Sequence, residues 1–160
     1  ARSGDSRGLL ALPGVMIRHW HWYPDPFAAA AGLLDSPAIR TADLLALRRL
    51  ASADSWGISN PKAAIPLIRA FAARRDVAAV PGLRRLLEGS ALEPDVQLAL
   101  INALGVLKDR ASIPQLIPYL SAGGRDRYLR TAAARALTAI TGQNLGDDRR
   151  RWEVWYVTQK

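Results

Sequence analysis

Apolar residues recur at i, i+3, i+4 and i+7 along three stretches of this chain, and the three stretches are copies of one another. In the middle stretch the stripe is Val96, Leu100, Ala103, Leu104 and Leu107. Helices are predicted over 61–74, 94–107 and 127–141. Leu67 and Leu100, Ile68 and Ile101, Ala70 and Ala103, Phe71 and Leu104, and Asp76 and Asp109 are each 33 positions apart. Ala103, Leu104 and Leu107 return with the same offset as Ala136, Leu137 and Ile140. A fixed internal period of this size is the signature of a stacked repeat protein.

Punctuation supports the pattern. Asn60-Pro61, Glu93-Pro94 and Asp126-Arg127 stand at equivalent openings, with Asn60 and Asp126 as expected N-caps and the prolines where a missing N–H costs nothing. Basic-acidic turns, Arg75-Asp76 and Lys108-Asp109, follow the first two helices. A shorter helix is then expected to open at Val80-Pro81 and at Ile113-Pro114. Gly123-Gly124 reads as an interhelix turn. Neither helix of such a pair can bury its apolar stripe alone, so the pairs must stack, with the small Ala70, Ala103 and Ala136 allowing close approach.

The first 60 residues are less regular. Asp25-Pro26 predicts a short helix over 27–34, and Ser36-Pro37 opens another in which Ile39, Leu44, Leu47 and Leu50 share a face. LRRL at 47–50 matches LRRL at 83–86 with an offset of 36, which places an insertion within 54–60. Ahead of these lies RHWHWY at 18–23. His19 and His21 would share one face of a strand and could take a metal, and Trp20, Trp22 and Tyr23 could form a binding platform. Those are the only two histidines, and no third ligand is close in sequence. The competing reading is an aromatic cap over the open end of the first repeat. At the other end, Trp152, Trp155 and Tyr156 form one aromatic helical face that would seal the last repeat, with Asp148 as its N-cap.

The SIPQLIPYL run at 112–120 followed by LRTAAARAL at 129–137 resembles the outer and inner helices of HEAT-repeat proteins, of the bacterial kind related to phycobilisome lyases. ITGQNLGDD at 140–148 resembles the closing element of many such proteins, and the likeness spans about residues 37–160. It implies an all-α, right-handed solenoid: an N-terminal extension over 1–36, repeats over 37–59, 60–92, 93–125 and 126–142, and a capping helix over 147–159. It also implies an inner-helix arginine row, although Gln97 stands where one arginine is expected and only Arg130 keeps it. Family members include scaffolds, chromophore lyases and, more remotely, DNA-repair glycosylases, and the shared motif speaks for the fold and not for an activity.

Composition narrows the chemistry. The chain has 160 residues, 49% of them apolar, which suits a globular domain with a real core. Cysteine is absent, so disulfides and thiolate metal sites are excluded. That fits the bacterial cytoplasm and periplasm equally, and the absence of an initiator Met at Ala1 leaves a removed leader open. The apolar run over 9–17 is broken by Pro13-Gly14, so no membrane span is expected. Paired acids occur as Asp147-Asp148 at a helix start, and there is no Gly-rich phosphate loop. These residues predict neither an enzyme nor a cofactor.

Net charge is +8, from 19 Arg and 3 Lys against 14 acids. This favours an acidic partner, while the excess of Arg over Lys also fits a GC-rich genome with no partner at all. Arg69, Asn102 and Arg135 are each 33 apart and should form a row along the inner helices, with Gln97 and Arg130 as a second, partial row. Arg149, Arg150 and Arg151 are a candidate anion site, since three cations in a first turn oppose the helix dipole. The leading expectation is a protein-interaction module that takes an acidic protein or peptide on this face. A nucleic-acid binder is the alternative, and a lyase or chaperone for a pigment or cofactor rests on the resemblance alone.

Overall fold

The computed structural model describes residues 61–89 and 92–159, and side chains from Ile65 onward. The histidines, the N-terminal aromatic run, the helices expected over 27–52, and the cap at Asn60 lie outside these residues. Among the described residues there are six α-helices and no strand. They are α1 (Pro61–Ala73), α2 (Val80–Glu88), α3 (Pro94–Val106), α4 (Ile113–Leu116), α5 (Arg127–Thr141) and α6 (Arg149–Thr158). Short 3-10 turns precede α2 and α4, and another, Ile117–Ser121, extends α4. None of these helices is long and apolar enough to cross a membrane.

The turns repeat bond for bond. After α1, Asp76 N–H reaches back to Phe71 O and Arg75 N–H to Ala72 O, both at 3.0 Å. After α3, Asp109 N–H reaches Leu104 O at 3.1 Å and Lys108 N–H reaches Gly105 O at 3.2 Å. This double closure is a Schellman motif, and it needs a left-handed residue at its corner. Arg75 and Lys108 fill that corner, each with φ of 53°. The next residue then caps a 3-10 turn: Asp76 Oδ1 accepts from Ala78 N–H at 3.2 Å, and Asp109 Oδ1 from Ala111 N–H at 3.3 Å. The chain reverses direction by the same device twice, so the two hairpins enter the stack alike.

α3 is the centre of the stack. It packs against α1, α2 and α5, while α5 also receives α4 and the turn after it. Its Val96, Leu100, Ile101, Ala103 and Leu104 are all essentially inaccessible, as are Leu67, Ile68 and Phe71 of α1 and Ala133 and Leu137 of α5. One close approach is not announced by the pattern. Gly105 sits so near α5 that a Cβ there would lie 2.9 Å from both Cα and Cβ of Ala136. Ala70, Ala103 and Ala136 are buried as expected.

One expectation needs correction. Asp126 precedes α5 with φ −94° and ψ 12°, and its side chain makes no capping bond, because the 3-10 turn Gly124–Asp126 leads directly into the helix. Glu93 likewise makes no side-chain cap ahead of Pro94. The third repeat also ends differently. α5 stops at Gly142, with φ of 76° and a single bond from Gly142 N–H to Thr138 O at 2.8 Å. No second hairpin helix follows; the chain turns into α6.

α6 is docked by Trp152, which is fully buried and donates from Nε1 to Gly146 O at 2.8 Å. Trp155 stands edge-on to it at 5.8 Å, and both Trp155 and Tyr156 pack on the core. Asp148 caps the helix as expected, accepting from Arg150 N–H at 2.9 Å and Arg151 N–H at 3.4 Å.

Candidate binding face

Because the turns repeat, residues 33 apart sit at equivalent positions on α1, α3 and α5, and burial follows the same register. Leu67, Leu100 and Ala133 face the core, and so do Phe71, Leu104 and Leu137. What remains is one strip per helix turned to solvent. Arg69, Asn102 and Arg135 are all exposed and lie at the middle of those strips. Neither arginine forms an ion pair among the described residues. The structure therefore places these three expected residues in a common row.

The second expected row is occupied locally. Gln97 is half-buried and donates from Nε2 to Leu92 O at 3.3 Å. Arg130 is half-buried, with Nε 3.6 Å from Asp147 Oδ2. Asp147 thus ties the loop before α6 to α5. Two of the three arginines at 149–151 are similarly engaged. Arg149 donates from Nε to Glu153 Oε1 at 2.6 Å and from Nη1 to Ser121 Oγ at 3.2 Å. Arg151 Nε lies 3.8 Å from Asp148 Oδ2. Acids supplied by the same segment offset the unfavourable placement of these cations at a helix start.

Three further rows accompany the arginines and were not read from the sequence. One turn towards the helix C-termini, Ala73, Val106 and Ala139 are all exposed, Val106 to 49%. One turn the other way stand Ile65, Leu98 and Thr131, the first two half-buried. A turn further, Asp95 and Tyr128 are equivalent and exposed. Lost hydration raises the Tyr128 phenol above 10.0, and the carboxylates of Asp95 and Asp126 raise it further. The signal was available: each row keeps the 33-residue spacing of Arg69, Asn102 and Arg135. It was masked because apolar residues at helical spacing read as core.

A last ion pair joins neighbouring hairpins. Arg84 of α2 lies 3.3 Å from Asp109 Oδ2, with the Asp109 side chain only 11% exposed. The two atoms are within ion-pair range but outside hydrogen-bond geometry. This contact positions the turn and does not face the exposed strips.

No group of three or more His, Asp or Glu side chains suited to a metal occurs among the described residues. No protein family, curated protein or solved structure matches this chain.

Proposed function

We propose that this chain is a HEAT-like α-solenoid of bacterial type that acts as a non-catalytic interaction module. Its inner helices α1, α3 and α5 present a concave face to an acidic protein or peptide. The observation that carries the reading is the row of Arg69, Asn102 and Arg135, exposed at equivalent positions of three successive helices. Two cations held in solvent on rigid helices attract and orient an anionic chain without first having to break internal pairs. Arg84, Arg130, Arg149 and Arg151 already have acids beside them, whereas Arg69 and Arg135 have no ion pair among the described residues.

The test compares a fluorescein-labelled acidic peptide with labelled DNA and RNA oligonucleotides across a salt series. Wild-type protein is expected to bind the peptide, and Arg69→Glu combined with Arg135→Glu to abolish that binding with unchanged helical circular dichroism. Peptide binding that survives both reversals overturns the reading. Tighter oligonucleotide binding, falling steeply with salt, replaces it with the nucleic-acid alternative.

A further inference from the structure

The strips around the arginine row have an order that says more about what lies on them. This inference rests on the reading above and specifies the ligand. Arg69 and Arg135 belong to helices separated by the single helix α3. Neighbouring packed helices lie about 8–10 Å apart, so the two residues are separated by roughly 16–20 Å across the face. Between them stands Asn102, whose side chain is exposed. One helical turn on either side the surface is largely apolar: Ala73, Val106 and Ala139 along one edge, the half-buried Ile65 and Leu98 with the exposed Thr131 along the other.

We infer that this face takes an extended acidic peptide segment crossing the three helices, with two carboxylates about six residues apart engaging Arg69 and Arg135 and small apolar side chains between them. The spacing follows from the roughly 3.3 Å rise of an extended chain over the inter-arginine distance. An extended backbone leaves its N–H and C=O groups open, and the Asn102 amide, both donor and acceptor, can meet them midway. A helical ligand has already closed its own backbone bonds and offers Asn102 nothing comparable. The alternation of side chains along an extended segment sends neighbours to opposite sides, towards the Val106 edge and the Leu98 edge in turn.

The experiment uses the 160-residue chain and fluorescein-labelled peptides with two Asp residues in a Ser/Ala background with one central Leu. The Asp residues are set about two, about six or about twelve positions apart at constant net charge. Affinity is expected to peak near six. Asn102→Leu should weaken that peptide by about tenfold, the effect of one lost hydrogen bond. Arg69→Gln and Arg135→Gln should each flatten the spacing dependence. Equal affinity at all spacings, with binding still lost in the double charge reversal, overturns the extended two-point ligand and leaves the acidic-partner reading intact. A maximum near twelve with induced helicity overturns it in favour of a helical ligand. Binding that ignores both arginines overturns the inference and the underlying reading together.

Discussion

Gly105 and Ala136 bring α3 and α5 into close contact: any side chain at 105 would begin 2.9 Å from Ala136 Cα and Cβ. In an unpacked helix, Gly→Ala stabilises by about 0.5–1 kcal/mol. Here overpacking acts in the opposite direction with about 1–3 kcal/mol and wins. Gly105→Ala is therefore expected to lower the urea midpoint. Adding Ala136→Gly should recover only part of the loss, because the clash with Ala136 Cα remains. A stabilised Gly105→Ala protein would show that the two helices do not approach this closely.

The Arg84–Asp109 contact is expected to be measurable because its acid is almost enclosed. Asp109→Asn retains a competent cap for Ala111 N–H and removes only the charge. The Arg84 side chain is 30% exposed, so solvent screens the pair, and the expected loss is modest, about 0.5–1 kcal/mol. Asp109→Ala should cost about 1 kcal/mol more, since the cap goes too. The check is a double-mutant cycle with Arg84→Met in urea denaturation. Additive single losses would mean that the charges do not interact.

Trp152 is expected to hold α6 on the stack. Its ring is fully buried and its Nε1 bonds Gly146 O. Trp152→Ala should cost about 3–5 kcal/mol. Trp155→Ala should cost clearly less, since that ring is only half-buried. Thermal melts followed at 222 nm and by near-ultraviolet circular dichroism distinguish the two; equal losses would refute a single anchoring ring.

Alkaline pH is expected to destabilise the fold through Tyr119. Burial raises its phenol above the ordinary 10.0, so the folded state disfavours the phenolate relative to the unfolded chain. The stability linked to this group is fully present below pH 10 and declines as pH rises from there through the folded-state value. Tyr119→Phe should reduce the alkaline loss while leaving stability near neutrality little changed. Denaturation midpoints at neutral pH and above pH 10 provide the comparison, and an undiminished alkaline loss would assign it elsewhere.

The helices with a regular stripe were legible in the sequence. The expected spans 61–74, 94–107 and 127–141 differ from Pro61–Ala73, Pro94–Val106 and Arg127–Thr141 by no more than one residue at an end. Proline at an opening and a basic-acidic pair at a close are strong local signals. Asp126 was misread as a cap because Gly123-Gly124 marked a turn but not its continuation as a 3-10 turn, with Gly124 at φ 59°, straight into α5. The equivalence of Arg69, Asn102 and Arg135 was legible from spacing alone. The engagement of Arg130 with Asp147, and of Arg84 with Asp109, was not, because folding brings those partners together across a loop in the first case and across neighbouring hairpins in the second.

The identity of the two Schellman turns makes residues 76–108 a transferable part. A second copy inserted after Lys108 would meet the same bonds at its entrance that Asp109 meets now. Arg84 would find Asp76 of the new copy where Asp109 had stood, and Gly105 would rest on its Ala103, another alanine, in place of Ala136. The length of the stack is thus not dictated by its interior interfaces. Among the described residues the repetition stops where Gly142 departs from the repeated turn and the chain enters α6, a joint that an added unit would leave unchanged.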